Sequence, residues 1–123
     1  MKIMLVDDSR TMRNVQKLTL SQLGHSEFAE ACSCHDALSK MGAFRPDLVL
    51  VDWDMPDSEG MRFITELRKS DKTTPVIMMT KEAEKQLVID AIRAGISNYI
   101  VKPFTPAQLG ERISETMARA SAA

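Results

Sequence analysis

Residues 48–56, Leu48-Val49-Leu50-Val51-Asp52-Trp53-Asp54-Met55-Pro56, are the stretch from which the fold is read. Four consecutive apolar residues, two of them β-branched, run into an acid, a tryptophan, a second acid and a proline that forbids the strand from continuing. A run without polar alternation is a strand covered on both faces, the habit of parallel strands flanked by helices. In open sheets of that kind, ligands and chemistry gather just beyond the carboxyl ends of the strands. Asp52 stands at such an end and is the first candidate for a functional residue.

Working outward, three further runs share this character. Lys2 to Val6 ends in Asp7 and Asp8; Val76 to Met79, introduced by Pro75, ends in Thr80; Asn98 to Val101 ends in Lys102-Pro103. Phe28 to Ala31 is weaker, with Glu30 inside it, the composition of an edge strand. Between the strands, apolar residues recur at helical spacing. Ser9 caps a helix carrying Met12, Val15, Leu18 and Leu23 until Gly24 stops it. A second helix starts near His35 with Ala37, Leu38 and Met41 and is closed by Gly42 and Pro46. Beyond the acidic loop Asp57-Ser58-Glu59 and Gly60, a third has Met61, Ile64 and Leu67 as its stripe and Arg68-Lys69 in its last turn. The fourth turns Leu87, Val88, Ala91 and Ile92 inward and stops at Gly95. Thr105-Pro106-Ala107-Gln108 is a capping box that opens a last helix carrying Leu109, Ile113 and Met117. Strand and helix alternate five times. The simplest solution is an α/β fold, an open parallel sheet with helices on both faces.

Length and composition narrow the function. A chain of 123 residues fits one stand-alone domain, 1–123, able to bury a core without disulfides or metal staples. The 16 basic residues balance 17 acids, and a net charge of -1 offers no broad attraction to nucleic acid or anionic lipid. The first apolar run is too short for a signal peptide and nothing approaches a membrane span, so a cytoplasmic location is expected. Cys32-Ser33-Cys34-His35 lacks a second ligand pair for zinc, and a disulfide there would close a very small loop; two reduced thiols are the simpler reading. The nine methionines read as core fillers.

The residues at the four apolar strand ends, Asp7 with Asp8, Asp52, Thr80 and Lys102, should point into one crevice. Three carboxylates there repel one another unless a cation offsets the charge. Oxygen ligands without His or Cys suit a hard cation such as magnesium, Mg2+. Lys102 and the Thr80 hydroxyl add donors for an anion beside it, and together these groups specify a phosphoryl site. No Gly-rich phosphate loop is present, so a carboxylate that itself carries the phosphoryl group fits better than a bound nucleotide.

These motifs, Val6-Asp7-Asp8, Thr11-Met12-Arg13, Asp52-Trp53-Asp54-Met55-Pro56, Thr80, and Tyr99 through Lys102-Pro103-Phe104-Thr105, closely resemble the receiver domain of two-component response regulators, most closely the single-domain chemotaxis (CheY-like) regulators. The resemblance covers essentially the whole chain. It implies the doubly wound flavodoxin-like (βα)5 fold with sheet order 2-1-3-4-5, the order known for chemotaxis members of that family. It implies that Asp52 is the phosphoacceptor, fed by a histidine kinase or phosphotransfer domain, and that Asp8 and Asp52 bind magnesium directly. Asp7 would act mainly through water, and the backbone carbonyl of Asp54 would complete the metal site. Lys102 would hold a phosphoryl oxygen, and its bond to Pro103 is expected to be cis. Thr80 would move toward the phosphoryl group and Tyr99 would turn inward, coupling the charge change to the surface of the fourth helix, fifth strand and fifth helix, where a protein partner reads it. Motor-switch binding, kinase feedback, a phosphate sink and an auxiliary phosphatase all stay open.

Several positions depart from the family pattern. Lys81 replaces the usual small residue after Thr80, and its long cationic side chain is expected to cover the site or pair with the phosphoryl group. Asp54 and Glu82, two beyond Asp52 and Thr80, stand where residues influence dephosphorylation. Trp53 is expected to be exposed beside the pocket and to serve as a reporter. Two rivals remain. Asp52-Trp53-Asp54 matches the Asp-x-Asp pair of haloacid dehalogenase phosphatases, but that motif belongs on a first strand and no cap domain is present. A receiver-like docking module that is never phosphorylated is opposed by the intact Asp8, Asp52, Thr80 and Lys102.

Overall fold

Strand β3, Leu48–Asp52, is buried along its whole length in the computed structural model, which describes residues 1–122. It lies at the centre of a five-stranded sheet, between β1 (Lys2–Val6) and β4 (Val76–Thr80), and every pairing is parallel. β2 (Glu27–Ala31) and β5 (Asn98–Val101) take the two edges, giving the order β2-β1-β3-β4-β5. The helices that connect them are α1 (Arg10–Gln22), α2 (Cys34–Phe44), α3 (Glu59–Ser70), α4 (Lys85–Ala94) and α5 (Pro106–Ala122), with a single 3-10 turn at Pro56–Ser58 before α3. The α/β doubly wound fold and its sheet order are those expected. Among the described residues no helix is long and apolar enough to cross a membrane.

Strand alternation divides the core into two layers. Met4, Val6, Val49, Val51, Val76 and Met78 face Ala37, Phe63, Ile64, Leu67 and Ala91 of α2, α3 and α4. Ile3, Leu5, Leu48, Leu50, Ile77, Met79 and Ile100 face Leu20, Leu109 and Ile113 of α1 and α5. Each strand residue therefore belongs to one face by its parity. Local signals end the helices as the sequence indicates in most places. Ser9 accepts from the Met12 amide, Thr105 and Gln108 exchange backbone-to-side-chain hydrogen bonds of 2.9 and 3.1 Å, and Gly95 closes α4 at φ 121°. The Lys102-Pro103 bond is cis. Cys32 is exposed and Cys34 buried, both as free thiols.

Some local expectations fail. On α1 the residues Met12, Val15 and Leu18 are exposed, and Gln16 and Leu20 are buried instead. Residues three apart fall about 60° short of a full turn at each step, so that row winds off the inward face; Gln16, Leu20 and Leu23, four and three apart, stay on it. Ile92 is exposed beside buried Ala91. Gly42 lies inside α2, which ends at Arg45 in the left-handed region, its amide bonded to the Met41 carbonyl at 2.9 Å. Phe63, fully buried, carries more of the α3 stripe than half-buried Met61. Trp53 is half-buried rather than exposed, packed against the α2–α4 layer. Its ring lies on Gly60, where a Cβ would meet Trp53 Cε3 at 2.8 Å.

Two predictions follow from these contacts. Gly60→Ala forces the Trp53 ring out of its seat and should lower stability by about 1–2 kcal/mol, with altered tryptophan emission, in urea unfolding monitored by fluorescence. On edge strand β2, Glu30 accepts from Lys17 Nζ and Arg13 Nε, both at 2.9 Å, and these bonds hold its carboxyl below the ordinary glutamate value. The pairing is one-third exposed and screened, so Glu30→Gln should cost about 0.5–1 kcal/mol at neutral pH. A depressed folded pKa stabilises above the unfolded value of 4.5 and is lost as pH falls through the folded value, so the two proteins should converge in acid.

Candidate functional site: an acidic crevice at the strand ends

The sheet ladder runs on past the last strand residues, with the Asp7 amide donating to Ala31, Trp53 to Met79 and Lys102 to Thr80 at 2.8–3.0 Å. Alternation is thereby carried one residue further. Asp7 continues the parity of Ile3 and Leu5, Asp52 that of Leu48 and Leu50, and Lys102 that of Ile100, so all three open on the α1–α5 face. Thr80 continues Val76 and Met78 on the opposite face. The chemistry thus gathers on one side of the sheet.

Asp7, Asp8 and Asp52 bring one carboxylate oxygen each to within 4.8 Å of one another. Asp7 and Asp52 are buried and Asp8 is exposed. Burial, and then the neighbouring Asp52 charge, push the Asp7 carboxyl above its ordinary range against the pull of the Ser9 amide and Lys102. Asp7 is further held by Gln16 Nε2 at 3.1 Å, and its carbonyl accepts from Arg13 Nη1 at 2.6 Å. Gln16 is a site residue that the sequence reading misses. It sits on the inward row of α1, and its Oε1 is a buried acceptor with no partner among the described residues.

Across the crevice, Lys102 Nζ is shared by Asp52 Oδ1 at 2.8 Å and Asp54 Oδ2 at 3.0 Å. Burial pulls the Lys102 ammonium down, and the hydrogen bonds to the two carboxylates outweigh it and leave it raised. Asp52 Oδ1 also accepts from the Asp54 amide at 2.9 Å. The Asp54 side chain, at a position the sequence links to dephosphorylation, turns inward; besides Lys102 it accepts from the Lys81 amide at 3.0 Å and stands 3.4 Å from Thr80 Oγ1. Thr80 is buried, and its hydroxyl lies nearer the Glu82 carbonyl, at 3.0 Å. The Lys81 side chain is exposed and makes no ion pair among the described residues; it is the Lys81 amide that enters the site. Tyr99 stands apart, half-buried against the α2–α4 layer with the Arg112 guanidinium 5.7 Å from its ring centre.

An open cleft of about 760 Å³ leads to these groups, walled by Asp8, Met12, Val15, Lys81, Lys102 and Phe104. Three crowded oxygen donors, one raised by burial, fit a hard divalent cation, and one ammonium already committed to two carboxylates leaves that fit intact. Asp7→Asn removes the most buried charge of the trio, and the Gln16 amide can turn so that Oε1 meets the new donor. The variant should unfold about 1 kcal/mol less readily without divalent cation and gain less from added magnesium than the parent, in thermal melts with and without the ion.

Comparison with known proteins agrees with this arrangement. Residues 3–114 match the family model described as response regulator receiver domain. The chain is 44% identical to chemotaxis protein CheY1 of Helicobacter pylori, over 92% of this chain and 94% of that protein. It is 40% identical to the chemotaxis protein CheY homolog of Campylobacter jejuni, over 98% and 95%. Among solved structures, chemotaxis protein CheY4 of Vibrio cholerae superposes with a TM-score of 0.81 at 30% identity, covering 97% of each chain. A CheY-like receiver domain protein from Methanospirillum hungatei gives 0.87 at 28% identity, covering 98% and 96%. With its strand-end acids and lysine gathered on β1, β3 and β5 of a 2-1-3-4-5 sheet, the chain belongs to the response regulator receiver domains of the CheY-like chemotaxis type.

Proposed function

We propose that the protein is a phosphorylation-activated switch in which Asp52 takes a phosphoryl group from a histidine kinase or phosphotransfer domain and thereby changes the protein's affinity for a protein partner. The observation that carries this reading is the placement of Asp52, buried at the centre of the sheet between Asp7 and Asp8 on one side and the Lys102 ammonium on the other. A bound magnesium ion, held by Asp7, Asp8 and Asp52, would offset the carboxylate charge and polarise the phosphoryl oxygens. An Asp52 carboxylate oxygen attacks phosphorus, the P–N bond to the donor imidazole breaks, and its electron pair stays on that nitrogen, which takes up a proton. The product is an acyl phosphate on Asp52. Lys102 and the Lys81 amide orient its outer oxygens. Attack of water on phosphorus later returns the carboxylate and releases inorganic phosphate.

The readout surface in this proposal is α4-β5-α5. Ile92 on α4 and Val101 on β5 are exposed apolar residues there, and Arg112 of α5 lies over the Tyr99 ring of β5. Thr80 and Tyr99 lie on the α4 side of the sheet, on adjacent strands β4 and β5, so a shift of Thr80 toward the phosphoryl group would leave space into which Tyr99 can turn.

Acetyl phosphate with magnesium should give a single phosphoryl adduct by intact mass, with a change in Trp53 emission. Asp52→Asn should give neither. An adduct that persists in the variant would move the acceptor elsewhere.

A further inference from the structure

The Asp54 carboxylate sits among donors, with no second acid needed to hold the fold there. Its Oδ2 takes the Lys81 amide and Lys102 Nζ, both at 3.0 Å, and the Thr80 hydroxyl stands 3.4 Å from Oδ1. The same ammonium is 2.8 Å from Asp52 Oδ1, and the Asp54 amide is 2.9 Å from that oxygen. Any tetrahedral anion attached to Asp52 therefore carries its outer oxygens into the space that the Asp54 side chain now fills. We propose that Asp54 is an internal surrogate for the phosphoryl group, an anion of the chain itself that occupies the Lys81 amide and Lys102 ammonium until a phosphoryl group on Asp52 displaces it. The proposal rests on Asp52 being the acceptor.

Charge and geometry give the displacement its direction. Phosphorylation turns a singly charged carboxylate into a doubly charged acyl phosphate, and Asp54 repels it across a crevice partly shielded from water. The ammonium carries one positive charge to set against the two anions, and the more highly charged one is covalently fixed, so the tie to Asp54 is the one that weakens. Asp54 is on the loop between β3 and α3, and its side chain is one-quarter exposed, so it has solvent to swing into. When it goes, the Lys81 amide loses its bond to the segment after β3, and the Thr80 hydroxyl its longer approach to the same carboxylate. The surrogate thus sets a threshold for phosphorylation, and its departure frees the segment that leads into α4. An asparagine at the same place has one neutral acceptor and competes poorly.

Beryllium fluoride, which forms a tetrahedral phosphoryl analogue on carboxylates, tests this at equilibrium. It is titrated at saturating magnesium into the parent, Asp54→Asn, Asp57→Asn and Asp52→Asn, following Trp53 emission and the Lys81 backbone amide resonance. Asp57 is an exposed loop acid outside the contacts described, so it reports the effect of net charge alone. Asp54→Asn should bind about 10-fold more tightly than the parent, the tenfold that loss of one charged competitor implies. Asp57→Asn should stay within about twofold, and the Lys81 amide should shift on binding in the parent and already be shifted in free Asp54→Asn. Equal affinity of the parent and Asp54→Asn, with none in Asp52→Asn, overturns the surrogate and leaves the acceptor in place. An equal gain from Asp57→Asn also overturns it, since the effect is then bulk charge. Binding retained in Asp52→Asn, or absent from every variant, removes the acceptor assignment and the surrogate with it.

Discussion

Charged groups of one sign are crowded at the carboxyl ends of β1 and β3, and water is largely excluded from two of them, Asp7 and Asp52. Such an arrangement is tolerated only where opposite charge or donors are close. The chain supplies them from two regions far apart in sequence, α1 with its cap and the residue after β5. Lys102 beyond β5 is 50 residues from Asp52, Gln16 comes from α1, and the Ser9 amide and Arg13 guanidinium hold Asp7 from its own side. The site is therefore also a clasp. It joins β1, β3 and β5 with α1 at the one end of the sheet where strand pairing has run out.

The same argument explains why the crevice is sensitive to added charge. Lys102 is divided between Asp52 and Asp54, so the local sum is acidic and its single positive charge is already set against two carboxylates. Anything that binds must bring positive charge, as a metal does, or take the ammonium from one of its present partners.

How far the sequence could be read depended on whether a residue's position followed from a repeat. The unbroken apolar runs of β1, β3 and β4 could only be interior parallel strands, and their ends then had to lie together; Asp7, Asp8, Asp52 and Thr80 follow at once. The α1 face was misjudged because Met12, Val15 and Leu18 look periodic while their three-residue spacing turns them away from the sheet. Gln16 escaped notice because a polar residue on an inward row carries no hydropathic signal. Asp54 was legible as an acid two residues beyond Asp52, but its direction is decided by the turn at Met55-Pro56 and by donors 27 and 48 residues further on, which no local pattern encodes. Trp53 looked free because its neighbour Gly60, which makes room for the ring, lies across a turn.

Parity along the strands has a wider meaning. A sheet is one backbone thick, and here it acts as a partition. The acids and the lysine open on the compartment under α1 and α5, whereas Thr80 and Tyr99 belong to the compartment under α3 and α4. The two compartments communicate at the rim, where Asp54 spans from Lys102 to the Lys81 amide. Helices over the Thr80 compartment can thus change their outward residues while the acidic crevice keeps its geometry, because the sheet stands between the two.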